Sequence, residues 1–202
     1  VGLEETAAAQ VLNEIDDMAD EGKSVITIYI IAHGNVDVIG LGYQPFFASQ
    51  FRSRMAAHPN VIFNIILGSC HSGSFIDDLC SLNNVYVIDT ACESDEGAST
   101  DVDEWGSLND INPLDVGSEW TSSLIEAMLN IVQDPDKLAL VQSWASSHGV
   151  PLTCMLICRA SSGALGHLPE LGLTDNFDFS NVLWWSSPYS CCYYEKNPML
   201  VN

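Results

Sequence analysis

Basic residues are scarce in this chain of 202 residues, in which six lysines and arginines face 27 aspartates and glutamates. The formal charge of −21 repels phosphate groups, so the composition argues against nucleic acid and anionic membranes as partners. The same charge favours solubility or the attraction of cationic groups, and adaptation to salt explains it equally well. Charge alone therefore identifies no substrate.

The sequence also lacks an apolar run long enough to cross a membrane. The longest run, residues 25–32, is far shorter than the ~20 residues that a transmembrane helix needs. We therefore predict no membrane span. No charged leader precedes an apolar core at the N-terminus, and the chain opens in what resembles the middle of a domain, which leaves room for a lost targeting segment. The sequence assigns no compartment to the protein.

Cysteine is the one reactive residue type present in excess, with seven in the chain. No CxxC pair occurs, so the spacing does not favour zinc. If one cysteine is a nucleophile, six remain, and these are consistent with three disulfides or with six buried thiols. The six are Cys80, Cys92, Cys154, Cys158, Cys191 and Cys192.

Apolar, β-branched runs alternate with helix-like segments along the chain. This alternation predicts a single α/β domain over residues 1–202, with a mostly parallel sheet flanked by helices on both faces. Buried strands are predicted at residues 24–32, 61–67, 85–91 and 152–159. Helices are predicted at residues 4–20, 46–58, 74–82, 119–132 and 135–148. The acidic stretch 92–115 is predicted to be a long loop.

Two predicted strands end in residues with catalytic chemistry. The first ends at His33-Gly34 and the second at Cys70, and the carboxyl ends of neighbouring parallel strands meet at one crevice. An imidazole can take the proton of a cysteine thiol near neutral pH, which makes His33 the candidate base for Cys70. The backbone N–H groups of Gly34 and Cys70 are candidates for an oxyanion hole, an effect worth about 3–4 kcal/mol per donor.

These strand ends resemble those of the caspase, metacaspase and legumain clan of cysteine peptidases. The likeness rests on the segments 30–34 (IIAHG) and 65–73 (IILGSCHSG). It implies a caspase-like sheet, Cys70 as nucleophile, His33 as base, a peptide or protein substrate and no required cofactor. The clan's opening strands would precede residue 4, so the resemblance also implies a missing N-terminal segment or a second chain.

A further likeness concerns the specificity pocket. The segments 90–99 (TACESDEGAS) and 104–107 (EWGS) resemble strand-end and loop segments that line the clan's primary pocket. This resemblance implies cleavage after arginine or lysine, with asparagine as the competing specificity. Metacaspases and legumains place an acidic residue where this chain has Gly68. The substrate-binding residues implied are Asp95, Glu96, Asp103, Glu104 and Trp105.

Several alternatives stay open at this stage. His71 adjoins the nucleophile and is a competing base. The acidic loop fits a solvated surface, a pocket for a cation or a calcium site of the metacaspase type, although Trp105 and Asn112 stand where an EF-hand needs ligands. A ligase or transpeptidase and a non-catalytic caspase-like binding module are the alternatives to a peptidase.

Overall fold

The computed structural model describes residues 6–42, 44–98, 119–167 and 183–186, with side chains described for 6–42, 44–98 and 124–161. Within these ranges the helices are α1 (Ala7–Asp20), α2 (Ala48–Ala57), α3 (Ser74–Leu79), α4 (Glu119–Gln133), α5 (Pro135–His148) and α6 (Leu152–His167). The strands are β1 (Val25–Ile31), β2 (His33–Asn35), β3 (Val38–Leu41), β4 (Gln44–Phe47), β5 (Ile62–Gly68), β6 (Val85–Thr90) and β7 (Leu183–Ser186).

Three parallel strands form most of the larger sheet. The described strands follow the order β1-β5-β6-β7, in which β1, β5 and β6 are parallel and β7 is antiparallel to β6. Strand β5 is buried at every residue after its first, as expected for a continuous apolar strand inside a parallel sheet. The α/β class predicted from the alternating pattern is confirmed.

Two hydrophobic clusters share the side chains of β5. Phe63, Ile65 and Leu67 pack with residues of α1, α2 and α3, whereas Ile66 packs with residues of α4, α5 and α6. Successive side chains of a strand point to opposite faces, so the first three helices and the last three contact opposite faces of β5. Each large apolar side chain buried in this way contributes roughly 1.5–3 kcal/mol.

Strand β1 is less buried than its sequence predicts. Ile26 and Ile30 are buried against the first helix layer, but Tyr29 and Ile31 on the other face are 38% and 36% exposed. The expectation of cover on both faces is therefore wrong for this strand. The physical reason is its position, because β1 lies at one end of the described strand order and the second helix layer packs over β5 and β6.

A small antiparallel sheet of β2, β3 and β4 follows β1 and was not predicted from the sequence. Its strands have three or four residues each, which is too short for a recognisable alternation of apolar and polar side chains. Asp37, in the first turn, has a left-handed φ of 58°. Because Phe46 belongs to β4, where it pairs with Ile39 of β3, helix α2 begins only at Ala48, later than the sequence predicts.

The strand predicted at residues 152–159 is wrong, because this segment belongs to helix α6. The buried residues Cys154, Cys158 and Ser161 recur every three or four positions, which is the spacing of one helix face. A short apolar run without clear alternation fits either a strand or a buried helix. Packing of this face against the sheet and α4 selects the helix.

Helix ends agree well with the capping signals in the sequence. The Asp134 side chain accepts hydrogen bonds from the first turn of α5 and precedes Pro135 at the first helical position. Gly149 ends that helix with a φ of 65°, as a left-handed C-terminal residue should.

None of the described helices combines the length and the apolar character that a membrane span requires.

The cysteines follow neither pattern drawn from the sequence. Cys70, Cys80 and Cys92 carry free thiols, whereas Cys158 is disulfide-bonded. Three disulfides and six buried thiols are therefore both wrong as descriptions of the cysteines other than Cys70.

Asp89 is a fully buried carboxyl group in strand β6. Its Oδ1 accepts a hydrogen bond from the Ser161 hydroxyl of α6 at 3.2 Å, while Oδ2 has no hydrogen-bond partner among the described residues. Burial outweighs the hydrogen bonds from Ser161 and Thr90 and raises the pKa of Asp89 well above its ordinary value of 3.8. The folded protein therefore keeps Asp89 protonated at pH values where the unfolded chain ionises it.

We expect Asp89→Asn to change how stability depends on pH. Wild type binds a proton on folding between the unfolded pKa of 3.8 and the raised folded pKa, so its free energy of unfolding falls as pH rises through this window. The variant lacks this proton uptake. Its stability relative to wild type should rise with pH by up to about 1.4 kcal/mol per pH unit.

Urea unfolding from acidic to neutral pH measures this difference. Asp17→Asn on the exposed side of α1 removes the same formal charge and serves as the control. A stability difference between Asp89→Asn and wild type that does not vary with pH would show that Asp89 ionises normally.

Candidate active site

The carboxyl ends of β1 and β5 carry the two residues predicted to be catalytic. The last registered pair of these parallel strands joins Ile31 to Gly68, and His33 and Cys70 each follow two residues later. His33 is exposed at the start of β2, and Cys70 is half-buried after β5. Parallel pairing therefore brings both residues to the same edge of the sheet.

Gly34 lies in direct contact with the turn formed by residues 69–73, here called the Cys70 turn. A Cβ atom on Gly34 would lie 2.3 Å from the carbonyl oxygen of Cys70 and 2.9 Å from the Ser69 hydroxyl oxygen. Both distances are too short for a real Cβ contact, so only glycine fits here. This contact fixes the start of the small sheet against the backbone of Cys70.

Ser74 provides a second connection between the small sheet and the Cys70 turn. Its hydroxyl donates to the carbonyl oxygen of His71 at 2.7 Å and accepts from the N–H of Asp37 at 2.8 Å. One buried hydroxyl therefore satisfies a backbone group on each side of the site. Nothing in the sequence distinguishes Ser74 from an ordinary residue at the start of a helix.

His71 contacts the loop formed by residues 93–97, here called the 93–97 loop. Its backbone N–H donates to the carbonyl oxygen of Glu96 at 2.8 Å, and its ring Nδ1 lies 3.0 Å from the carbonyl oxygen of Ser94. A carbonyl oxygen only accepts hydrogen bonds, so Nδ1 carries a proton. This nitrogen is therefore not the one that could accept a proton from Cys70.

Cys92 also connects the Cys70 turn to the 93–97 loop. Its Sγ lies 3.2 Å from the carbonyl oxygen of Ser69 and 3.3 Å from that of Glu96. Burial raises the pKa of the Cys92 thiol, and the nearby Cys70 adds to this rise, against hydrogen bonds from Ser72 and His71 that lower it. Cys92 therefore remains a protonated thiol, whose one S–H can donate to either of these backbone carbonyls.

Gly73 allows the Cys70 turn to approach Cys92 closely, and Gly97 lies near the thiol of Cys70 at an ordinary contact distance. A Cβ on Gly73 would lie 2.8 Å from the carbonyl oxygen of Cys92, and a Cβ on Gly97 would lie 3.8 Å from the Sγ of Cys70. The 93–97 loop therefore passes beside the thiol. Sequence analysis missed Cys92, Gly73 and Gly97 as site residues, and the signal for all three was that they fall in the segments 65–73 and 90–99.

Two of the five residues predicted to form the specificity pocket belong to the described part of the chain. Asp95 is exposed and Glu96 is half-buried in the 93–97 loop, and the Gly97 end of this loop lies beside the Cys70 thiol. Asp103, Glu104 and Trp105 lie outside the described residues. Within the described ranges, no group of three or more side chains is arranged to hold a metal ion.

Comparison with known proteins adds no family to this geometry. No protein-family model matches the chain, and a search of curated proteins found no significant match.

We expect Gly34→Ala to disturb the site because the added methyl group must displace the carbonyl oxygen of Cys70. The stability cost should be about 1–3 kcal/mol, as for other overpacked sites, and iodoacetamide should alkylate Cys70 at a changed rate. Urea unfolding and mass spectrometry of the alkylated protein measure the two effects.

Gly40→Ala is the matched control in the same small sheet. A Cβ on Gly40 would lie 3.5 Å from the carbonyl oxygen of His33, an ordinary contact distance. Equal effects of the two substitutions would mean that the contact between Gly34 and Cys70 does not constrain the site.

Proposed function

We propose that the protein is a cysteine endopeptidase that cleaves after arginine or lysine. Cys70 is the nucleophile and His33 the base. The observation that carries this proposal is the contact of Gly34 with the Cys70 carbonyl at the ends of two paired parallel strands. It supports a shared site because His33 immediately precedes Gly34 in the chain.

The reaction would proceed in two stages. His33 takes the proton of the Cys70 thiol, and the thiolate attacks the peptide carbonyl carbon to form a tetrahedral oxyanion held by the N–H groups of Gly34 and Cys70. The proton then passes from His33 to the leaving amine as the C–N bond breaks. Water, deprotonated by His33, attacks the thioester and releases the carboxylic acid together with free Cys70.

The sheet supports the resemblance to the caspase, metacaspase and legumain clan. In that clan a strand ending in His-Gly precedes a strand ending in the catalytic cysteine, and here His33-Gly34 follows β1 while Cys70 follows its parallel neighbour β5. Helices packed on both faces of β5 are consistent with the caspase-like arrangement. The outer edge of β1, at one end of the described strand order, is where a further N-terminal segment or second chain would pair.

Charge near the thiol supports basic specificity. Glu93, Asp95 and Glu96 fall within one short loop that passes beside Cys70, and the protein as a whole is strongly acidic. A carboxylate next to the scissile bond favours a guanidinium or ammonium group over a neutral side chain. Asp103, Glu104 and Trp105 join this proposal through the family resemblance alone.

We expect Cys70→Ala to abolish cleavage of fluorogenic peptides and His33→Ala to lower kcat/KM by about 10²–10⁴-fold, the range typical of a lost general base. Cys80→Ala is the matched control, since Cys80 is another half-buried free thiol and should leave activity unchanged. Adding an amine acceptor and following products by mass spectrometry separates hydrolysis from transpeptidation. Equal activity of Cys70→Ala and wild type would rule out this nucleophile.

Neutralising the carboxylates of the 93–97 loop should weaken recognition of a basic residue. For Asp95→Asn and Glu96→Gln we expect KM for arginine substrates to rise about tenfold, the scale of one charge-assisted hydrogen bond. Asp77→Asn, an exposed site on α3, controls for the change in net charge. Unchanged KM in both loop variants, or preferred cleavage after asparagine, would contradict basic specificity.

A further inference from the structure

The 93–97 loop is attached to the Cys70 turn by a compact set of contacts. One backbone hydrogen bond runs from the N–H of His71 to the Glu96 carbonyl, and a second, from the N–H of Gly73 to the carbonyl of Cys92 at 3.0 Å, holds the residue that immediately precedes the loop. Side chains supply the others, through the His71 ring and the Cys92 thiol. His71 is the residue that contributes both a backbone and a side-chain contact to the loop.

The backbone of His71 is adapted to this role. Its φ of 57° lies in the left-handed region, which residues other than glycine and asparagine rarely occupy. In this conformation its N–H contacts the Glu96 carbonyl while its ring contacts the Ser94 carbonyl. These two contacts anchor both ends of the acidic tripeptide Ser94-Asp95-Glu96.

The contact between Nδ1 of His71 and the Ser94 carbonyl does not depend on whether the imidazole is neutral or charged. Nδ1 donates to the Ser94 carbonyl in the neutral ring, and the same nitrogen also donates when the ring is charged. The contact therefore survives protonation. A general base, in contrast, must change its protonation state in every turnover.

We propose that His71 is a positioning residue that holds the 93–97 loop beside Cys70 and so sets recognition of the substrate residue before the scissile bond. This inference rests on the proposed peptidase function. It assigns His71 to substrate recognition, and it gives a physical reason for the histidine that follows the nucleophile.

Two substitutions at this position isolate the ring contact. His71→Gly and His71→Asn both tolerate a positive φ, so neither adds backbone strain. Only asparagine keeps a side-chain N–H, at about the position of Nδ1, that can donate to the Ser94 carbonyl. The pair therefore compares a lost donor with a retained one.

Hydrogen exchange measured by mass spectrometry tests the anchor without requiring activity. We expect His71→Gly to accelerate exchange in peptides covering residues 92–98, and His71→Asn to restore most of the protection. Peptides from β5 and β6 should be unaffected in both variants. Unchanged exchange of the 92–98 peptides in His71→Gly would overturn the proposal.

Kinetics then tests the consequence for recognition. We expect His71→Gly to lower kcat/KM for arginine peptides about tenfold, mainly through KM, with His71→Asn recovering most of the loss. The rate at which iodoacetamide alkylates Cys70, and its dependence on pH, should match wild type in both variants. Loss of alkylation in parallel with activity would overturn the proposal, because His71 would then act on the thiol itself.

Failure of the proposed function has a different signature. In that case wild type cleaves no peptide, but the 92–98 peptides still lose protection in His71→Gly and regain it in His71→Asn. The protein then has the anchor and lacks the peptidase activity.

Discussion

Parallel hydrogen bonding between β1 and β5 is the interaction on which the arrangement of the site depends. Their register aligns the two strands residue by residue up to Ile31 and Gly68, so the chain leaves both strands at the same level. The small sheet begins after the first strand and the Cys70 turn after the second. Their backbones then meet at Gly34, where the absence of a side chain permits the contact.

Polar groups inside the sheet are satisfied mainly by the second helix layer. Asn64 in β5 donates to the Thr153 hydroxyl of α6 at 3.4 Å and accepts from the Cys154 thiol at 3.0 Å. Asp89 in β6 contacts Ser161 of the same helix. Because buried polar groups without partners are costly, these contacts help to specify how α6 packs on the sheet, in a region where its apolar residues alone were mistaken for a strand.

Basic side chains of the α2 region connect neighbouring helices of the first helix layer. Arg54 and His58 of the α2 region both contact Asp16 of α1, with 2.6 Å between the His58 Nε2 and Asp16, and Arg52 donates to the Ser81 hydroxyl at 2.7 Å. These contacts join α1 to α2 and α2 to the end of α3.

The sequence by itself determined the α/β class, the central strands and most helix ends, and it nominated His33, Gly34 and Cys70 as candidate site residues, because apolar runs, capping residues and strand-end motifs are local signals. Only the tertiary structure decided that residues 152–167 are helical, that a small sheet follows β1 and that one face of β1 is exposed. It also decided the roles of Ser74, Cys92 and Gly97. Their contacts join residues distant in the chain, and such contacts depend on strand order and register, which no local pattern encodes.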